Sequence, residues 1–306
     1  MKKSLTLFFL LLHIACFGQK VTLALNLTLG NTYYMTSRAK MDISQTVNGQ
    51  QQDITTTINA RVSHKVTAVK DSVYVLEVRY ESIGMQMAMP GQNFDFYSDK
   101  KDTTDIFSTL LSGLVNKPFS IVITKKGKIR SVDNMENLYA GMFDNLPHLT
   151  ADQKTQLKAQ IMKSFGPDSF RGTMEQAFAV FPEVKVAKND QWVVNTNVES
   201  VMTAKTKTTY TLDDITGNTF NLHGVAVIQS DDKDDYKEAN GLPMKFTDVT
   251  GASTIDLKLD KTTGWINEEK TIIMITGTIN VKDNPKAPGG MTIPMTVSGE
   301  TTISNK

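Results

Sequence analysis

Histidine is the residue type in this sequence with the widest chemical range, because it can act as a general base and as a metal ligand. The four histidines are His13, His64, His148 and His223, and they lie far apart in the sequence with no acidic motif beside them. His64 falls on the apolar positions of an alternating segment. We therefore predict that His64 is a hydrogen-bonded residue in the wall of an interior, rather than a ligand or a base.

Carboxylates are the second group that could support chemistry. The acidic run at residues 231–235 contains Lys233 and lacks the alternating oxygen ligands and the glycine of a calcium loop, which favours a solvated hairpin tip. Glu268 and Glu269 are adjacent, so in a strand they point to opposite faces and cannot flank one bond. Neither a Gly-x-Ser-x-Gly elbow nor a phosphate-binding loop occurs. We therefore predict a protein that is not an enzyme and holds no metal or cofactor.

The N-terminus has the pattern of an export signal. Lys2 and Lys3 precede an apolar run at residues 5–15, which predicts a signal peptide over residues 1–18. Cleavage after Gly18 is one route, and acylation of Cys16 as a lipoprotein is the other, although His13 stands where a lipobox has Leu, Val or Ile. The predicted location is the periplasm or the outer membrane, with secretion as the other outcome of export.

Cysteine usage and charge exclude several classes of partner. Cys16 is the only cysteine, so the mature chain folds without disulfides or cysteine-bound zinc. Removing Lys2 and Lys3 from 33 basic residues leaves 31 against 32 acidic ones, a net charge of −1. A near-neutral chain predicts neither nucleic-acid binding nor docking on an anionic membrane. No apolar run after the signal approaches the roughly 20 residues that span a bilayer.

Two long stretches alternate apolar and polar residues, which predicts half-buried strands. Residues 21–29 alternate first, and residues 33–47 and 54–68 then form two arms around Asn48-Gly49, a strong hairpin signal. A third strand is predicted at residues 73–80, and the run through Met85 and Met87 is predicted to lead into a loop. Alternation resumes between residues 192 and 297. Because the arms far exceed the usual strand length of about six residues, they must curl with the twist of the sheet.

Residues 134–181 instead show helical periodicity. Three apolar stripes, ended at Pro147, Gly166-Pro167 and Pro182, predict three short helices. Thr150 and Gln153 are predicted to cap the second helix, whose inward residues include Met162. The predicted fold class is α+β, mainly β: a long curved antiparallel sheet, either a half-barrel or two related β halves, with a helical insert over its apolar face. The parts are a first β half at 19–133, the insert at 134–182 and a second β half at 183–306, within one structural domain.

Methionine and aromatic residues fall mainly on the predicted interior positions. Flexible thioethers suit a cavity for acyl chains, but they fill ordinary cores equally well. If the interior binds a ligand, the predicted lining residues are Met41, Ile58, Val62, His64, Met142, Phe143, Phe165, Met174, Phe178 and Met202.

Residues 114–132, with Lys117-Pro118-Phe119 before the turn at 125–128, and Phe181-Pro182 leading to residues 189–192, resemble a set of uncharacterised exported bacterial proteins. More distantly, the layout resembles the lipoprotein-carrier (LolA/LppX-like) half-barrel superfamily of the Gram-negative envelope. That resemblance implies binding of a lipid or another hydrophobic molecule in the periplasm. We therefore expect a non-enzymatic envelope protein with a hydrophobic ligand. The alternative is a structural or protein-interaction module with a filled core.

Overall fold

The computed structural model describes residues 20–100, 105–144, 146, 148–199, 203–230, 236–239 and 241–306. The fold is mainly β, with 59% strand and 14% helix, so the predicted fold class is confirmed. The strands are β1 (Thr32–Val47), β2 (Gln50–Lys70), β3 (Val73–Met89), β4 (Gln92–Tyr97), β5 (Phe119–Thr124), β6 (Ile129–Asp133), β7 (Gln191–Glu199), β8 (Thr203–Ile215), β9 (Thr219–Ser230), β10 (Lys237–Ala239), β11 (Leu242–Asp260), β12 (Ile266–Val281) and β13 (Met291–Ser304). The helices are α1 (Ile106–Leu114), α2 (Glu136–Tyr139), α3 (Ala151–Phe165) and α4 (Pro167–Phe178).

One antiparallel sheet contains all of these strands. Its order is β6-β5-β3-β2-β1-β13-β12-β11-β9-β8-β7, with β4 added beside β3 and β10 beside β11. Pairing of β1 with β13 joins the N-terminal and C-terminal halves into one surface. The two ends of this path are β6 and β7, which do not pair with each other among the described residues. The helical segment between them in the chain therefore connects the two edges of an open sheet.

The long arms form where the sequence predicts them. Asn48 and Gly49 have positive φ values of 51° and 77°, which gives the tight turn between β1 and β2 its twist. Side chains that alternate toward one face pair across the ladder, such as Tyr33 with His64 and Met35 with Val62. The third strand is longer than expected, because β3 continues past Tyr80 to Met89.

Helix α4 covers the apolar face of the sheet at one end. It contacts both edge strands, β6 and β7. Phe178 lies 4.7 Å from Trp265, and Phe170 lies 4.9 Å from Phe119, measured between ring centroids. Aromatic side chains from both halves of the sheet thus meet beneath the helix. The sheet must be concave on this face, because strands far apart in its order share one buried cluster. We call this buried, helix-covered end the packed end.

Residues 21–29 are not the strand that we predict from their alternation. Leu23, Leu25 and Leu27 are buried as expected, but Leu29 is 61% exposed and the segment lies outside the sheet. Its backbone bonds to turns instead: the Leu25 amide donates to the Lys125 carbonyl at 2.8 Å. Alternation indicates only that one face of a segment is buried. An extended segment that crosses the packed end has such a face, as a strand in a sheet does, and its backbone groups bond to turns instead.

The three predicted helices of the insert differ in length and in how well their buried residues match the prediction. The first is only one turn, α2, because Ala140 is extended and Gly141 has a φ of 72°. The second, α3, begins with a reciprocal capping box between Thr150 and Gln153. Met162 on α3 is 42% exposed, so its predicted inward position is wrong. The third, α4, buries Phe170, Met174, Ala177 and Phe178 as its stripe predicts.

Candidate ligand site

Beyond the packed end, the concave face of the sheet continues as an apolar surface. We call this surface the trough. Its side chains lie in rows across the strands: Ile58 pairs with Ala39, and in the next row Met41 pairs with Gly299, which pairs with Ile273. Partly exposed apolar residues of the trough are Ala39, Met41, Ile43, Ile58, Met85, Met87, Ile273 and Val297.

Burial separates the trough from the packed end. Leu257 on β11 and Leu222 on β9, at the packed end, are 2% and 3% exposed, whereas the trough side chains named above are only partly buried. Ile273 and Val297 of the trough also pack against a second buried cluster, formed by Ala204, Ile228, Val249 and Ile275. The helices contact the sheet mainly at β3 to β7: α1 packs on β3 and β4, α2 on β5, and α4 on β6 and β7. The middle strands of the trough therefore have an apolar face that is left partly open to solvent.

The residues predicted to line a ligand site divide between these two regions. Met41 and Ile58 lie in the trough, and Val62 lies where it meets the packed end. Met142, Met174 and Phe178 are at most 4% exposed within the packed core, and Phe143 packs against that core. The side chain of Phe165, all of Met202, Cys16 and the acidic run at 231–235 lie outside the described residues.

His64 is part of the wall of the packed end, but it is not hydrogen-bonded as we predict. It has no exposed surface, and its ring lies 5.2 Å from Trp265 in an edge-on arrangement. Neither ring nitrogen has a hydrogen-bond partner of good geometry, the backbone of Tyr33 being a weak contact only. Burial lowers the pKa of His64 to about 4, because the imidazolium form cannot be solvated there.

This buried histidine predicts a loss of stability in acid. The pKa of His64 falls from 6.5 when unfolded to about 4 when folded. The contribution of neutral His64 to the free energy of unfolding is thus complete above pH 6.5. It is lost as the pH falls to 4, which lowers the free energy of unfolding by about 3 kcal/mol. Urea unfolding of the wild type and His64→Leu at pH values from 7.5 to 4 tests this prediction. The free energy of unfolding of the wild type, relative to that of His64→Leu, should decrease as the pH falls. His148→Leu, at an exposed position, should show no such trend, and a pH-independent His64→Leu difference would contradict the assignment.

Glu268 and Glu269 point to opposite faces of β12, as predicted, and Glu269 is a partly buried carboxylate on the concave face that was not predicted to belong to a site. Adjacent Glu268 faces solvent and pairs with Lys258 at 2.7 Å, whereas Glu269 faces the concave side and accepts a hydrogen bond from the Thr271 hydroxyl at 2.9 Å. Burial raises the pKa of Glu269 to about 7. The sequence does carry a signal for this position, because the alternation of β12 places Glu269 on the same face as Ile273 and Ile275.

Other polar features lie away from the trough. A cavity of about 440 Å³ between α4 and β7 is lined by polar residues such as Arg171 and Asn195, and one of about 360 Å³ lies beside Arg38 and Arg61. His223 Nδ1 lies 2.8 Å from Asp256 Oδ1, with the two side chains 38% and 74% exposed. Within the described residues, no group of three or more potential metal-binding side chains occurs. The pair formed by His223 and Asp256 is open to solvent, so it contributes little to stability and forms no enclosed site.

Fold and site together define a mainly β protein with one open, curved antiparallel sheet and helices over one end of its concave face. Residues 71–266 match DUF6263, a family of unknown function, and the chain belongs to that family. No match to a curated protein was found. In the part of the chain that the structure describes, none of the helices is long and apolar enough to cross a membrane.

Solved structures with a similar outline share little sequence with this chain. A structure on lipid–protein interactions in lipovitellin has 9% identity and a TM-score of 0.49, and the match covers 92% of this chain. This chain spans only 25% of that lipovitellin chain. An outer membrane channel from Pseudomonas putida F1 has 7% identity and a TM-score of 0.27, with 92% of this chain and 97% of the channel covered. At these scores the likenesses carry no argument about function.

Proposed function

We propose that this chain is an exported, non-enzymatic envelope protein that binds a lipid or another elongated apolar molecule in the trough. The supporting observation is the row of partly exposed apolar side chains, including Met41, Ile58 and Ile273, on a concave face that the helices leave partly open. The proposal gives the chain a task like that of the lipoprotein carriers of the Gram-negative envelope. Export rests on the signal-like N-terminus at residues 1–18.

The energetics of the trough fit an acyl chain. Each methylene group that leaves water contributes about 0.8 kcal/mol, so a chain lying along several rows gains affinity from length alone. Met41, Met85 and Met87 supply flexible thioethers that adapt to irregular apolar shapes. A Cβ added to Gly299 would lie 3.0 Å from Cγ2 of Ile273 and 3.5 Å from Cγ of Met41, so these two side chains close over the glycine and form a continuous apolar surface there.

The alternative proposal, a structural or protein-interaction module, also has specific support. The packed end is filled with aromatic side chains, and the convex face carries exposed Ile272 and Met274, which are 50% and 60% exposed. A protein partner on the convex face would need no open trough. The two proposals therefore place their functional surfaces on opposite sides of the same sheet.

A bulky substitution in the trough distinguishes the ligand-binding proposal from the interaction-module proposal. Ala39→Phe adds a ring to the concave face, so we expect it to weaken binding of a fluorescent fatty acid at least about tenfold, the loss of about 1.4 kcal/mol of apolar contact. Ala252→Phe makes the same change on the exposed convex face of β11 and should leave binding unchanged. Titration of the probe into each purified mature protein measures both. Absence of binding by the wild type would reject the ligand proposal, and a loss only in Ala252→Phe would favour the convex surface.

A further inference from the structure

A carboxylate lies where the packed end gives way to the trough. Glu269 on β12 pairs with Ile303 on β13 and Leu257 on β11, which are 8% and 2% exposed. In the next row, Thr271 pairs with Ile255, and both are partly exposed. Beyond them lies Ile273 of the trough wall. The Glu269 side chain therefore stands at the floor of the trough, with apolar walls above it.

The charge of this carboxylate is not balanced by a neighbouring cation. Lys270, the next residue, faces outward and pairs with Glu300 at 3.0 Å, and Lys258 pairs with Glu268. Among the ion pairs formed by the described residues, none includes Glu269. Its hydrogen bond from Thr271 opposes the effect of burial but does not offset it, so the pKa of Glu269 stays raised. A partly buried carboxylate in this state is stabilised by a nearby cation.

One aromatic ring approaches the same space. A Cβ added to Gly224 on β9 would lie 2.8 Å from Cε1 of Tyr210 and 3.3 Å from Cβ of Ile255. The ring of Tyr210, from β8, therefore extends across β9 toward β11 and β12, through the room that a glycine leaves. Trp192 stacks on the side of Tyr210 that is away from Glu269, with ring centroids 6.0 Å apart, and its Nε1 donates to the Val180 carbonyl at 2.8 Å. Burial raises the pKa of Tyr210, and the nearby charge of Glu269 raises it further.

We propose that Glu269, beside Tyr210, forms the head-group end of the ligand site and selects an alkylammonium head. This proposal rests on the function proposed above and specifies the ligand as a cationic amphiphile. An ammonium group supplies the missing positive charge to the carboxylate. The alkyl chain then extends from this floor along Ile273 and the rest of the trough.

Calorimetry with four ligands of equal chain length tests the selection: dodecylamine, dodecyltrimethylammonium, dodecanol and laurate, each below its micellar concentration. At pH 7.5 we expect the wild type to bind the two cations about tenfold more tightly than dodecanol, as for a charge-assisted contact, and laurate most weakly. Glu269→Gln keeps the shape and the bond to Thr271 but removes the charge, so the preference should fall below about threefold. Glu268→Gln, on the opposite face of the same strand, should retain the preference.

The wild type alone provides a second readout. Because Glu269 ionises near pH 7, the preference for dodecylamine over dodecanol should increase between pH 5 and pH 8, while the amine itself stays protonated. Equal preferences in the wild type and Glu269→Gln, or a preference that does not change with pH, would overturn the head-group assignment. If all four ligands bind equally, the trough is a ligand site without head-group selection. If none binds, the proposed function itself fails.

Discussion

Phe178→Ala should lower the free energy of unfolding by about 3–5 kcal/mol, among the largest losses expected from a single side chain in this protein. Phe178 is 1% exposed and lies against Trp265, which itself contacts Tyr33 and His64 on the far side of the core. Truncation leaves a cavity where α4 meets both halves of the sheet. Urea unfolding monitored by tryptophan fluorescence measures the loss.

Phe107→Ala is the matched control for this prediction. Phe107 lies on α1 with 44% of its surface exposed, and its main ring contact is Phe96 at 4.9 Å. Removing the Phe107 ring should lower the free energy of unfolding by about 1 kcal/mol, the contribution of one aromatic pair near the surface. Similar losses in the two variants would mean that α4 does not hold the edges of the sheet together as described. Faster amide exchange in β6 and β7 of Phe178→Ala alone would support that role.

Gly127→Ala should destabilise the protein by a comparable amount for a different reason. A Cβ at Gly127 would lie 1.7 Å from the carbonyl oxygen of Phe178, and the residue has a φ of +79°. Alanine therefore adds about 1–2 kcal/mol of left-handed strain and a further 1–3 kcal/mol of backbone displacement at the end of α4. We expect a total loss of about 2–5 kcal/mol by urea unfolding.

Gly49→Ala separates the two contributions. Gly49 has nearly the same φ, +77°, but an added Cβ would meet no atom within 4 Å. This control should therefore lose only the strain of about 1–2 kcal/mol. If Gly127→Ala loses no more than Gly49→Ala, the close contact between the β5–β6 turn and α4 does not exist in solution.

Local patterns predicted much of this fold correctly. Alternation and the Asn48-Gly49 turn located the long hairpin, and the Thr150 to Gln153 box located the start of α3. These features depend on residues that are close in sequence, so their physical causes are visible there. The end of β3 was predicted too early, because the run through Met85 and Met87 was interpreted as leading into a loop.

The candidate site was predicted less completely. Met41 and Met174 both occupy apolar positions of regular patterns, yet one lines the trough and the other lies in the packed core. Periodicity shows which face of an element is apolar, but not whether another element covers that face. The same limit applies to Glu269, whose position in phase with Ile273 becomes informative only once that face is known to be concave.

The sequence by itself determined the strands, the capped helix and the apolar face of each element, because these follow from backbone geometry and from side chains a few residues apart. Only the tertiary structure decided that β1 pairs with β13, that α4 spans the edges β6 and β7, and that the segment at 21–29 crosses the packed end outside the sheet. Pairs such as Thr36 with Ser304 and hydrogen bonds such as Leu25 to Lys125 join residues that are far apart in the sequence, and the contacts of α4 join it to strands on both sides of it in the chain. They depend on how a whole sheet twists and closes over its core, which no short stretch of sequence specifies.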